Sequence, residues 1–157
     1  MEALFHYNWM VRHEWYKWCE DLSEDELLAR RTGGVGSILE TLFHIIDVEW
    51  RWLKEIHGHS CPPEEFEKYN SLEKIRQLDT KYHEEVAPFV KQWNSTMENK
   101  VFNDIEAGEI FTWGEVMRHV IAHEIHHIGQ LSVWSRELDR KPVTANFIRR
   151  GLTEHIN

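Results

Sequence analysis

TWGEVMRHVIAHEIHHIGQLSVWSRELD, residues Thr112 to Asp139, carries four of the chain's eleven histidines within nine residues. Thr112 followed by Glu115 is a capping box, in which each side chain satisfies an otherwise orphaned backbone N–H at a helix start. Val116, Val120, His123, His127, Leu131 and Trp134 then recur at steps of three and four, the spacing of one helical face. Residues four apart on a helix have Cβ atoms about 5–6 Å apart, so two imidazoles at that spacing can converge on one ion. His119 with His123 and His123 with His127 both qualify, but the outer two are about 12 Å apart along the axis, so all three cannot share an ion. With His123 at zero and about 100° per residue, the apolar arc runs from about 20° (Val116, Trp134) to about 200° (Ile125). His127 falls inside it, at about 40°, whereas His119 and His126 fall outside at about −40° and −60°. The wheel therefore favours His123 and His127 over the other pair, against the plain alternative of a histidine-rich solvated helix.

Working outward, the chain has 157 residues, the length of one domain over 1–157 with a single sizeable core. Its charged fraction of 29% and apolar fraction of 41% are those of a soluble protein, with eight tryptophans to fill a core or a self-association surface. A formal net charge of −9 and the lack of a basic stripe exclude nucleic acid as the expected partner. The N-terminus has no basic n-region and no apolar run is long enough to span a bilayer, so the expectation is a cytoplasmic protein without membrane attachment. Cys19 and Cys61 form no C-x-x-C and read as free thiols.

Four long helical segments emerge. The first runs from Ala3 to about Cys19, with a short turn-like helix capped by Ser23 after it. Ser37 and Glu40 form a capping box for the second, ILETLFHIIDVEWRWLKEIHG, which stops at Gly58 and is apolar over more than half its wheel. The third begins at an Asn70–Glu73 box and carries a Leu72–Trp93 stripe, with Pro88 expected to kink or divide it. Val101, Phe102 and Ile105, then Gly108, then Ile110 and Phe111 suggest a short irregular hairpin before the histidine helix. Pro142 is expected to stop that last helix, ahead of a brief terminal segment around Asn146 to Arg150. The fold class is all-α, a four-helix bundle, in which sites are built from facing helices.

Several chemistries fit these histidines. HEIHH matches H-E-x-x-H of the zinc proteases literally, but the extended motif requires Gly at 130 and His at 133, where the chain has Gln130 and Val133. Glu124 also sits at about 100°, inside the apolar arc, where a buried carboxylate needs a hydrogen-bonding partner. A di-iron bundle needs two Glu-x-x-His motifs, and only Glu124-x-x-His127 is present. A mononuclear site of three neutral imidazoles with an open position, or histidines that merely pack, remain. On the wheel His44 is an edge position with Asp47 as a rival ligand. His6 and His13 on the first helix are weaker candidates, and His57, His59 and Cys61 form no standard zinc module.

Tyr7-Asn8-Trp9, the segment SILETLFHIIDVEWRWL with L-x-H-x-x-x-x-E-W, and GEVMRHVIAHEIHHIGQL with H-x-x-x-H-x-G-Q together resemble the DinB/YfiT-like (damage-inducible) family of four-helix metal proteins over nearly the whole chain. The resemblance implies one divalent metal ion per chain, zinc or nickel, held by His44, His123 and His127. It implies a metal-dependent small-thiol S-transferase or hydrolase-like enzyme, with a low-molecular-weight thiol and an electrophile as partners, commonly as a homodimer. A non-catalytic, metal-stabilised stress-response protein is the alternative. Asp47, Gln130 and Glu124, each within a turn of a ligand, are the positions for groups that support the site or touch substrate. Ile128 stands where the family often has arginine, removing a cation there. A ligating imidazole must be neutral, so affinity is expected to fall below about pH 6.5.

Overall fold

A computed structural model describes residues 1–104 and 108–152. Four long helices, α1 (Glu2–Cys19), α3 (Ile38–Glu55), α4 (Leu72–Gln92) and α5 (Trp113–Glu137), form the bundle, with the short α2 (Glu24–Leu28) between the first two. A two-stranded antiparallel sheet, β1 (Val101–Asp104) and β2 (Glu109–Thr112), leads into α5. Both α1 and α3 pack against α4 and α5, so α1 and α3 lie diagonally across the bundle. The all-α four-helix expectation is thus met, hairpin included, although Ile105 lies outside the described residues.

Helix starts follow the capping chemistry. Reciprocal boxes close at Ser23–Glu26, Ser37–Glu40 and Thr112–Glu115. The expected Asn70–Glu73 box does not form: Ser71 is the cap, accepting from the Lys74 N–H, and Asn70 Oδ1 instead takes the Lys74 ammonium. Pro88 does not divide α4. It lies on the solvent face, where water can take up the Glu84 carbonyl that the missing N–H would have met. The helix α5 ends at Glu137, ahead of Pro142, with Asp139 at φ 54°. The chain beyond it folds back on α1, where Lys141 and Ala145 carbonyls accept from Trp18 and Tyr7 and Arg150 pairs with Glu14.

The core is two apolar clusters. One contains Trp15, Leu42, Ile46, Ile128 and Trp134, the other Phe5, Leu53, Val116, Met117 and Ile121. Between them on α3 and α5 lie Glu49 and Glu124, both buried. Trp50 stacks on Tyr82 at 4.2 Å, Trp52 meets Phe102 and Phe111 edge-on, and Trp134 donates to the Thr32 carbonyl. The tryptophans that suggested a self-association surface are therefore engaged within the chain. Among the described residues no helix is long and apolar enough to cross a membrane.

Candidate metal centre

His44 on α3 and His123 and His127 on α5 converge, with one ligand nitrogen from each lying within 4.8 Å of the others. The helices run antiparallel, since His44 meets His123 and His127 while Trp52, two turns later, meets His119. Nε2 of His123 is 3.0 Å from Nε2 of His44 and 3.1 Å from Nε2 of His127. An imidazole nitrogen offers one site, a proton or a lone pair, so His123 Nε2 cannot hydrogen-bond both neighbours. The same spacing suits a shared cation: ligand nitrogens at 2.0–2.1 Å from a tetrahedral zinc are about 3.3 Å apart. The three histidines are placed to hold a metal ion.

The protonation states agree with that fit. Burial pushes the His44 imidazole down to about 4 and His123 down to about 3, with the neighbouring rings adding to the effect. His127 is lowered by the same burial. Each ring is neutral at pH 7. His127 Nδ1–H donates to Gln130 Oε1 at 2.7 Å, which leaves the Nε2 lone pair for an ion. The Gln130 amide N–H in turn donates to His126 Nε2 at 3.1 Å. Gly34 brings the preceding loop against this glutamine. At its φ of 71° a Cβ would lie 2.8 Å from Gln130 Oε1, so only glycine fits both the conformation and the contact.

Other candidate positions go elsewhere. His119 packs on Trp52, and His126 is exposed. His6 pairs with Glu2 and His13 Nδ1–H donates to the Trp9 carbonyl, both on a groove of α1. His57 and His59 are exposed, while Cys61 is buried rather than solvated, its carbonyl accepting from Arg51 Nε. Asp47, also buried, lies 3.7 Å from Arg51, and its carboxyl is raised by burial.

Glu124 turns inward to Arg12, a residue the sequence did not single out. The Arg12 guanidinium is bidentate to Glu124, with Nε–Oε1 at 2.8 Å and Nη2–Oε2 at 2.6 Å. It reaches across the bundle to Glu49 at 3.1 and 3.3 Å, and to Asp79 at 2.7 Å. Trp9 Nε1 also donates to Glu49. Each long helix contributes one charge to this buried cluster. Burial raises Glu49, and the three carboxylates hold Arg12 well above the usual arginine range despite its own desolvation. Because Glu124 lies between His123 and His127 and Glu49 lies on the helix of His44, Arg12 ties together the two helices that carry the histidines.

A helical bundle with a three-histidine cluster shared between two helices defines a class of metal-site bundles. The family model described as DinB family matches residues 1–153, and the chain belongs to that family. The chain is also 44% identical over 153 residues, 97% of its length and 96% of the relative's, to the Uncharacterized protein YizA of Bacillus subtilis (strain 168).

Proposed function

We propose that this chain folds as one domain over 1–157 and binds one divalent ion, zinc or nickel, through His44, His123 and His127. The observation that carries the reading is the convergence of three Nε2 atoms on a point where hydrogen bonding cannot account for them all. The activity it supports best is transfer of a small thiol to an electrophile, with a hydrolase-like reaction as the close variant. An ion held by three neutral ligands supplies uncompensated positive charge, which favours a coordinating thiol as thiolate, the nucleophilic form.

The residues of the chain contribute orientation and protonation state. Gln130 fixes the His127 tautomer, burial keeps all three rings neutral, and Arg12 holds the two ligand-bearing helices in register. In the overall reaction the thiol S–H proton leaves to solvent, an S–C bond forms, and the electrophile's leaving group departs with the electron pair of the bond that breaks. Neither cysteine of the chain is required. Cys19 is buried with its thiol pushed up to about 12, and Cys61 is raised as well, so neither is a ready nucleophile. Two free thiols also suit a cytoplasmic protein. Homodimerisation follows from the family resemblance, and exposed Ile125 and Val133 on α5 supply apolar surface for it.

The test incubates zinc-loaded protein with a panel of cellular thiols and a chromogenic electrophile. Thiol-dependent turnover should be lost in His44→Ala and retained in Cys19→Ser and Cys61→Ser. Equal rates with and without protein across the panel would favour the non-catalytic, metal-stabilised stress-response role. A rate that survives His44→Ala but is lost in Cys19→Ser would overturn the mechanism.

A further inference from the structure

Residues 32–36, Thr-Gly-Gly-Val-Gly, form the loop that leads into α3. We propose that this loop is a positioning element of the histidine cluster: at Gly34 it holds the Gln130 amide against His127, and so decides which ring nitrogen of His127 carries the proton. The consequence for metal affinity rests on the metal reading above; the tautomer does not.

The loop is anchored on both sides. The Arg31 N–H donates to the Gly36 carbonyl at 2.9 Å, and the Ser37–Glu40 box that follows fixes the start of α3. From α5, Trp134 Nε1 donates to the Thr32 carbonyl at 3.1 Å, and Glu137 lies 3.9 Å from Arg31. Trp134 is 1% exposed, so its ring is a packed wall rather than a side chain free to swing aside. Between these anchors Gly34 rests on Gln130. A Cβ at position 34 would lie 2.8 Å from Gln130 Oε1 and 2.9 Å from Trp134 Cη2, both well inside ordinary contact. Of the two, the Gln130 amide yields, since it ends a flexible chain whereas the indole is enclosed.

The amide is held between two imidazoles, Oε1 facing His127 Nδ1 at 2.7 Å and Nε2 facing His126 Nε2 at 3.1 Å. The tautomer of a histidine is set by the hydrogen bond that one of its nitrogens makes. With Oε1 displaced, nothing keeps the His127 proton on Nδ1. A proton on Nε2 occupies the lone pair that an ion needs. A residue with no side chain, on the loop before α3, thus acts on a ligand of α5 through Gln130.

Gly33 supplies the control. At φ 79° it shares the left-handed backbone of Gly34 at 71°, but a Cβ there meets nothing within 4 Å. Alanine at 33 carries the backbone strain alone, and alanine at 34 carries that strain plus the push on Gln130. The experiment reads the His127 ring nitrogens by NMR in the metal-free full chain, assigned against His127→Ala, and zinc affinity by chelator competition. Wild type and Gly33→Ala should hold the proton on Nδ1. Gly34→Ala should show it moved to Nε2, with zinc bound about tenfold more weakly, the lower end of the effect of losing such a partner. Asparagine, which tolerates a positive φ, repeats the comparison at both positions if Gly34→Ala does not fold. A proton that stays on Nδ1 in the Gly34 variants, or that moves equally in the Gly33 variants, would overturn the positioning role. A moved proton with unaltered zinc affinity would leave that role standing and overturn His127 as a ligand.

Discussion

One turn of α5 faces two ways. His123 and His127 meet His44 at the half-buried flank of the bundle, while Glu124, between them, meets Arg12, Glu49 and Asp79 in the interior. Both clusters bridge the same two helices, and both gather polar groups whose burial must be compensated. They differ in where the compensation comes from. The inner cluster carries its own cation, and its four charges are mutually hydrogen-bonded. The outer one consists of imidazoles kept neutral by burial, with Gln130 holding the His127 proton on Nδ1. The comparison teaches that the interior of this bundle is an electrostatic frame, and that the flank it supports presents three neutral imidazoles placed to hold an ion.

The largest effect should come from breaking the frame. Arg12→Met leaves three buried carboxylates without a counter-charge, and removal of one partner from such a cluster costs about 3–5 kcal/mol. Denaturant unfolding should show that loss. Glu124→Gln, which keeps the shape and one set of hydrogen bonds, should cost clearly less in the same assay. If Arg12→Met unfolds at the wild-type midpoint, the cluster is not structural.

A smaller effect should come from the support of the flank. Gln130→Leu removes the acceptor that sets the His127 tautomer, and loss of such a partner lowers metal affinity by about 10–100-fold. Chelator competition measures it, and stability of the metal-free protein should hardly change. Zinc affinity unaltered in Gln130→Leu would mean that the hydrogen bond does not serve the site.

The smallest effect is one of pH. In the folded protein His44 and His123 are depressed to about 4 and about 3, below the unfolded value near 6.5. The unfolded chain then binds more protons between those values, so this contribution to stability is present above about pH 6.5 and is lost as pH falls through the folded values. The loss at about 6.5 expected for solvated imidazoles is therefore moved down by burial. Zinc binding should persist at pH 5.5, as read by chelator competition, and a midpoint near 6.5 would show the rings to be solvated.

The sequence made one of these regions legible and hid the other. His123 and His127 could be chosen because an i, i+4 pair shares a face with buried residues, and the buried positions of α5 do follow the arc that the wheel drew, except that Ile125 at its edge is 43% exposed. His44 sits at the boundary of core and solvent, where periodicity does not decide, and only the motif around it did. Arg12 escaped notice because its partners are 37, 67 and 112 residues away. A signal existed: Arg12 follows Phe5 and Asn8 and precedes Trp15 and Cys19 on the buried stripe of α1. Glu124 in an apolar arc called for a partner, and an arginine on another apolar stripe was the residue able to provide one. Pro88 does not divide α4, since the cost of a proline depends on which face of the helix it occupies.

The central claim is that the three histidines form one metal site, and calorimetric titration of zinc into metal-free protein tests it most directly. The account predicts one ion per chain for the wild type and for His126→Ala, and no binding of comparable affinity for His44→Ala, His123→Ala or His127→Ala, with all variants folded by circular dichroism. Undiminished binding in the combined His44→Ala, His123→Ala and His127→Ala protein would contradict it.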